Sequence, residues 1–179
     1  TTLIDDWVDH PYDGGKWSKN LTMTAGYHTI VVTMYERGGV ARAWFHVEQQ
    51  LAATCPSSFT GWRGEYYRTR DLSGVTKLCR DDATIVFDWG EASPATGIPS
   101  DDFSVRWTQT TTFEAGTYVF TKGSDDGMRV YLDGVALVDD WVDQSYDGPV
   151  TVTQQVTAGS HTVVVEYYER GGYARATFS

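Results

Sequence analysis

The closing part of this chain repeats its opening. Leu3-Ile4-Asp5-Asp6-Trp7-Val8-Asp9 returns as Leu137-Val138-Asp139-Asp140-Trp141-Val142-Asp143, and Tyr12-Asp13-Gly14 returns as Tyr146-Asp147-Gly148. Further on, Thr24-Ala25-Gly26, His28-Thr29 and Tyr35-Glu36-Arg37-Gly38-Gly39 are answered by Thr157-Ala158-Gly159, His161-Thr162 and Tyr168-Glu169-Arg170-Gly171-Gly172. Over residues 3–14 and 24–45, 25 of 34 aligned positions are identical, which marks internal duplication. Residues 60–134, which precede the second copy, have no counterpart ahead of the first. The expected organisation is therefore the C-terminal part of one repeat (1–47), a linker (48–60) and one complete domain (61–179).

With 14 basic and 24 acidic residues, the formal charge is −10. Binding to a nucleic-acid backbone or an anionic membrane needs a basic patch, so this balance argues against both. Acidic clusters suit calcium or plain solubility. No apolar run approaches membrane-spanning length, and no signal peptide is visible. Cys55 and Cys79 are the two cysteines, and neither sits in a zinc-type cluster. Richness in Trp, Tyr, Thr and Gly with little Lys reads as a secreted, extracellular or cell-surface protein. A disulfide between Cys55 and Cys79 is then the expectation, with two unrelated thiols as the alternative. Such a bond would close a loop of about 25 residues and stabilise by about 3 kcal/mol.

Strand signals dominate. Residues 29–35, 103–107, 117–120, 128–132, 151–153 and 162–168 are β-branched or aromatic runs bounded by Gly, Asp or Ser. Asp133-Gly134 predicts a hairpin turn, and Glu114-Ala115-Gly116 and Thr157-Ala158-Gly159 predict similar turns. Residues 90–101 read as a long exposed loop. Helical periodicity is not sustained anywhere. The fold class is all-β, an antiparallel β-sandwich or barrel.

From Gly61 onward, motifs follow one another in a fixed order: Gly64-Glu65-Tyr66-Tyr67, Asp102-Phe103-Ser104-Val105-Arg106-Trp107, Gly116-Thr117-Tyr118-Val119-Phe120, and Ser124-Asp125-Asp126-Gly127 running on to Asp133-Gly134. Leu137-Val138-Asp139-Asp140-Trp141, Ala158-Gly159-Ser160-His161 and Val165-Glu166-Tyr167-Tyr168-Glu169 complete the series. This order closely resembles the protective-antigen fourteen-kilodalton (PA-fourteen) domain family, over all of 61–179 and, as a partial second copy, over 1–47. The resemblance implies a β-sandwich found in extracellular adhesins, flocculins, toxins and glycosidase appendages. Fold alone does not fix a function.

Adjacent side chains on a strand point to opposite faces, so Asp125 and Asp126 could not grip one ion in ordinary extended geometry. A cis peptide between them would turn both carboxylates to one side. Calcium-dependent lectin members of the family use such a pair, completed by a side-chain oxygen and backbone carbonyls from the loop before the last strand. Carried onto this sequence, Glu169 offers the side-chain oxygen, and Gly171 and Tyr173 their carbonyls. Glu169 departs from the Asn or Gln common in sugar-binding members. Calcium takes six to eight oxygen ligands and, with an open coordination position, can exchange waters for vicinal sugar hydroxyls. The expected function is therefore a non-catalytic, calcium-assisted carbohydrate-binding and adhesion module whose partners are cell-surface or extracellular glycans. Asp-Asp-Gly is also simply a turn sequence, and many family members keep it without any demonstrated lectin activity.

Other constellations carry less. Asp139-Asp140-Trp141 and Asp5-Asp6-Trp7 read as hairpin closures with a core tryptophan. His28 and His161, at matched turn positions, are expected to bond backbone, while His10 and His46 show no partner pattern. Asn20-Leu21-Thr22 is a glycosylation sequon. Arg42 and Arg175 suit salt bridges over an acidic face. Glu65 and Asp88 invite a glycosidase reading, but no spacing singles out a catalytic pair and no other catalytic motif occurs. The half-repeat at 1–47 keeps Glu36-Arg37-Gly38-Gly39 without a counterpart of Asp125-Asp126 before it, and self-association through it is a further expectation. The alternative function is thus a structural tandem repeat of an extracellular stalk or filament, joined by strand complementation and binding no sugar.

Overall fold

Alternating apolar and polar side chains build ten strands among the described residues, all between residues 62 and 178. They are β1 (Trp62–Tyr67), β2 (Leu78–Asp82), β3 (Ile85–Gly90), β4 (Phe103–Phe113), β5 (Gly116–Asp125), β6 (Gly127–Leu132), β7 (Val135–Asp140), β8 (Val150–Val156), β9 (Gly159–Glu169) and β10 (Ala174–Phe178). The computed structural model describes residues 23–43, 45–47 and 51–179, with residues 2, 4, 5, 7, 19, 21 and 49. The expectations placed on Asp6, His10, Tyr12-Asp13-Gly14 and the Asn20 sequon lie outside the described residues. No helix occurs among the described residues.

The strands form two antiparallel sheets, one of six in the order β2-β1-β4-β9-β6-β7 and one of four in the order β3-β10-β5-β8. Side chains two apart share a face, so each strand sends one row inward. Ile85, Phe87 and Trp89 come from the smaller sheet, and Tyr66, Val105, Trp107, Val165 and Tyr167 from the larger. Phe87 stacks on Trp89 and on Trp107 at 4.8 and 5.5 Å between centroids, and Tyr66 meets Trp107 edge-on. Polar side chains around Trp107 are paired. Asp82 accepts hydrogen bonds from the Tyr66 hydroxyl and the Trp107 indole, both at 2.8 Å, and from Arg80. The antiparallel sandwich is the fold class that the strand pattern implies.

The outer face of the larger sheet carries charge in register. Glu65 lies opposite Arg106, Arg106 opposite Glu166, Glu166 opposite Arg129, and Arg129 opposite Asp139. Ion pairs link Arg106 to Glu166 at 2.7 Å and Arg129 to Asp139 at 2.9 Å. Acid and base thus alternate across five strands.

Several expectations change. The chain divides into units Thr1–Gln49 and Gln50–Ser179. The stretch read as a linker over 48–60 is, across its described residues 51–60, fastened to the second unit. The Ala53 amide donates to the Thr76 carbonyl at 2.7 Å, Thr60 bonds Asp81, and Cys55 is disulfide-bonded to Cys79 on β2. The loop read as exposed over 90–101 sends Ile98 into the core. Asp133-Gly134 does form a two-residue turn, with φ of 50° and 80° closing the Leu132–Val135 pair.

The strand expected over 29–35 is absent. Its second-copy equivalent lies within β9, hydrogen-bonded to β4 on one side and β6 on the other. Local pairing survives nonetheless. Trp7 and Tyr35 have ring centroids 4.8 Å apart at 50°, and Trp141 and Tyr168 have theirs 4.7 Å apart at 53°.

Candidate functional site

The site forms where the chain crosses between sheets. Asp125 ends β5 in the four-stranded sheet, and Gly127 begins β6 in the six-stranded one. Gly127 is required by close approach: a Cβ there would sit 2.3 Å from Cε1 of Tyr168. Glu169 arrives on the inward row of β9, after Val163, Val165 and Tyr167. That row makes it a core position, and its exposure is 0%. A carboxylate thus stands where the pattern would otherwise place another apolar side chain.

Asp125, Asp126 and Glu169 converge, with one ligand-type oxygen from each lying within 4.8 Å of the others. The Asp125–Asp126 peptide bond is cis. Backbone amides fix both aspartates. Tyr146 N–H donates to Asp125 at 3.2 Å, while Gln144 N–H and Arg170 N–H donate to the two oxygens of Asp126 at 2.8 and 2.9 Å. The Tyr167 hydroxyl reaches both the Asp125 carbonyl and Oε2 of Glu169. Oε1 of Glu169 is buried with no hydrogen-bond partner.

Three acids this close oppose one another's ionisation. The Glu169 carboxyl is pushed up to about 7, first by burial and then by the Asp126 charge. Asp125 is also raised, by burial first and by Asp126 second. Burial, with Glu169 beside it, pushes the Tyr167 hydroxyl up as well, so it stays a donor at neutral pH. The donors are all hard oxygens, one is orphaned, and the charge is concentrated. These features match a divalent cation of the calcium type.

A clamp that sequence reasoning missed supports the pair. Lys122, with 2% of its side chain exposed, is ion-paired to Asp140 and Asp147. Asp140 also accepts from Nε2 of Gln144 at 2.9 Å, and Asp147 accepts from the Ser124 amide at 3.1 Å. The β7–β8 loop is thereby pinned onto β5, which delivers the Gln144 and Tyr146 amides to the aspartates. Only the repeated Asp-Asp-Trp and Tyr-Asp-Gly motifs hinted at it, because the lysine lies outside the duplicated segments.

Gly171 and Tyr173 follow in the β9–β10 connection. The Gly171 amide pulls Glu169 downward, Gly172 N–H donates to Asp101 at 3.4 Å, and the Tyr173 side chain is 63% exposed. Asp101, just before β4, is thus an acid at the rim that the sequence did not single out. Glu65 and Asp88 do not form a pair: they lie in different sheets, beside Arg63 and Arg175 respectively. Trp141 is outside the core cluster, against Tyr168 and under the Arg129 guanidinium at 4.2 Å. The matched histidines behave alike, His28 and His161 contacting the carbonyls of Thr24 and Thr157 at 2.9 and 3.0 Å.

The PA14 domain family model matches residues 58–179. The anti-sigma-I factor RsgI3 of Acetivibrio thermocellus is 38% identical over 111 residues, which make up 62% of this chain and 17% of that protein. An anti-sigma factor domain-containing protein from Clostridium clariflavum has a structure similar at a TM-score of 0.60 and 30% identity, over 66% of this chain and 40% of that one. The PA14 domain of the MpAFP antifreeze protein is similar at a TM-score of 0.57 and 19% identity, over 73% of this chain and 87% of that one, a likeness of fold alone. The chain spans less than a fifth of the curated relative's length. With two thirds of its residues under one family model and a ten-strand sandwich to match, the chain belongs to the PA14 domain family.

Proposed function

We propose that residues 58–179 form a non-catalytic, extracellular glycan-binding module that holds calcium at Asp125, Asp126 and Glu169. One observation carries the reading: three carboxylates converge within 4.8 Å at a sheet crossing, with a buried Glu169 oxygen that no group among the described residues satisfies. Burying like charges together is unfavourable unless a cation or protons offset them. When bound, calcium would offer coordination positions that vicinal sugar hydroxyls can take in place of water. Around it, Gln144, Tyr146 and Arg170 orient the aspartates through their amides, and Gly171 and Tyr173 are the backbone groups proposed to complete the shell. The Cys55–Cys79 disulfide favours an oxidising, extracellular setting.

Calorimetric titration of calcium into chelator-stripped protein, followed by a glycan array with and without chelator, tests the reading. Saturable heat and chelator-sensitive glycan retention are expected. Absence of heat together with an unchanged melting temperature would overturn it.

A second reading concerns context. The relatives at 38% and 30% identity are described as anti-sigma factors, so the same module could serve as the sensing part of a larger transcriptional regulator. The two readings share one binding event and differ in its output. The stalk or filament alternative, with self-association through 1–47, draws less support, because the described residues of that unit present no strand to extend.

A further inference from the structure

We infer that the reverse face of β9 carries a second ligand pocket, which takes a saccharide without any cation. Tyr168 and Glu169 are neighbours on β9 and point to opposite faces. Glu169 belongs to the acidic cluster, whereas Tyr168 floors an open depression of about 480 Å³ on the outer face of the six-stranded sheet. Trp141 and Asp143 of the β7–β8 loop wall one side, and Thr69, Asp71 and Ser73 of the β1–β2 loop wall the other, with Arg70 beside them. The volume lies in the range of roughly 300–1,000 Å³ usual for small-molecule sites.

Both walls are held before any ligand arrives. Ser104, fully buried on β4, donates from its hydroxyl to the Thr69 carbonyl at 2.6 Å and accepts from the Leu72 amide at 3.1 Å. Within that loop, Thr69 bonds the Ser73 carbonyl at 2.9 Å, the Ser73 amide bonds Asp71, and Arg70 pairs with Asp102 at 3.1 Å. On the opposite wall, Asp143 accepts from the Tyr168 hydroxyl at 2.7 Å and from Arg170. Arg129 over Trp141 fixes the indole. A pocket preorganised in this way spends little binding energy on ordering itself.

The lining selects the ligand class. The half-buried Trp141 supplies apolar surface for C–H groups, over a floor formed by the buried Tyr168. Asp71 and Asp143 are held below the ordinary carboxylate range, by the Ser73 and Tyr168 hydroxyls respectively, and so remain acceptors at neutral pH. Each carboxylate oxygen keeps a lone pair beyond the bond it already makes. Hydroxyls and a guanidinium supply donors. Arg70 and Arg170 are already paired with acids, which disfavours a strongly anionic ligand, and a polyhydroxylated neutral ring uses every group on offer. The Trp–Tyr pair recurs in the first repeat as Trp7 and Tyr35 at nearly the same separation. Arg170 connects this pocket to the acidic cluster, its amide on Asp126 and its side chain on Asp143. A glycan chain could therefore engage both, although the pocket does not depend on the cation site.

The test uses the whole chain in excess EDTA, titrated with methyl glycosides of glucose, galactose and mannose and with soluble β-1,4-glucan oligomers, read by saturation-transfer NMR and calorimetry. Saturable binding in EDTA is expected for at least one probe, weakened at least tenfold in Trp141→Ala. Ser73→Trp, which fills the cavity while leaving the aromatic pair in place, should weaken it equally and guards against a misfolded Trp141→Ala. No saturable binding of any probe in EDTA would overturn the inference, as would binding undiminished by Ser73→Trp. Failure of the calcium site would appear separately, as loss of chelator-sensitive binding alone.

Discussion

Tyr167 donates its hydroxyl to Oε2 of Glu169 at 3.1 Å, two positions along the same inward row of β9, while the other oxygen of Glu169 is left without a partner. Burial, and then the neighbouring Asp126 charge, make this carboxyl stable as the protonated acid and costly as the anion, outweighing the Tyr167 bond, which favours the anion. Its folded value of about 7 exceeds the ordinary 4.5, so the folded chain holds this proton more tightly than the unfolded chain. Without a cation, its contribution to stability is greatest at low pH and falls as pH rises from about 4.5 through about 7. Glu169→Gln should remove that slope. It should raise cation-free stability at neutral pH on the order of 1–3 kcal/mol and weaken calcium binding without abolishing it, since the Gln amide oxygen remains a ligand but one negative charge is lost. Denaturant titrations of both proteins across this pH range, with and without chelator, check the pair of outcomes.

Lys122 is a buried cation facing two aspartates. Lys122→Met is expected to cost about 3 kcal/mol, because Asp140 and Asp147 lose their counter-charge. Amide exchange at Gln144 and Tyr146 should quicken beyond the global change, since their loop loses its anchor. Uniform protection loss across all strands would argue against the clamp.

His161 faces Asp133 at 2.6 Å, and that carboxylate holds the imidazole above its ordinary value. Any stability it contributes is present below the unfolded value near 6.5 and disappears as pH rises through the folded value. In Asp133→Asn, which keeps a side chain tolerant of the positive φ, the His161 titration followed by NMR should move down. An unmoved titration would mean the Thr157 carbonyl governs it instead.

The Cys55–Cys79 bond ties the segment before β1 to β2 across 24 positions. Reduction, or a Cys55→Ser/Cys79→Ser double variant, should lower unfolding free energy by about 3 kcal/mol. Chemical denaturation with and without reductant measures it.

Strands whose own residues carry the signal were legible: Phe103–Trp107, Thr117–Phe120, Met128–Leu132 and Thr162–Tyr168 are apolar or β-branched enough to declare themselves. β2, reading Leu-Cys-Arg-Asp-Asp, was not, since it is a strand only because β1 pairs with it. The opposite case is residues 29–35, which carry a good strand sequence and yet form no strand. Asp125, Asp126 and Glu169 could be picked out from motif order. Lys122, Gln144 and Asp101 could not, because their roles depend on loop paths that bring together residues about 20 to 70 positions apart.

The alternating row Glu65–Arg106–Glu166–Arg129–Asp139 has one more effect. Its members sit one residue away from core side chains on the same strands (Tyr66, Trp107, Tyr167, Val130 and Val138), so sliding any strand by a single position would drive a charge into the core and strand its partner outside. The row therefore acts as a proofreading comb during assembly, penalising misaligned pairings of five strands even though each surface ion pair adds little to the finished fold.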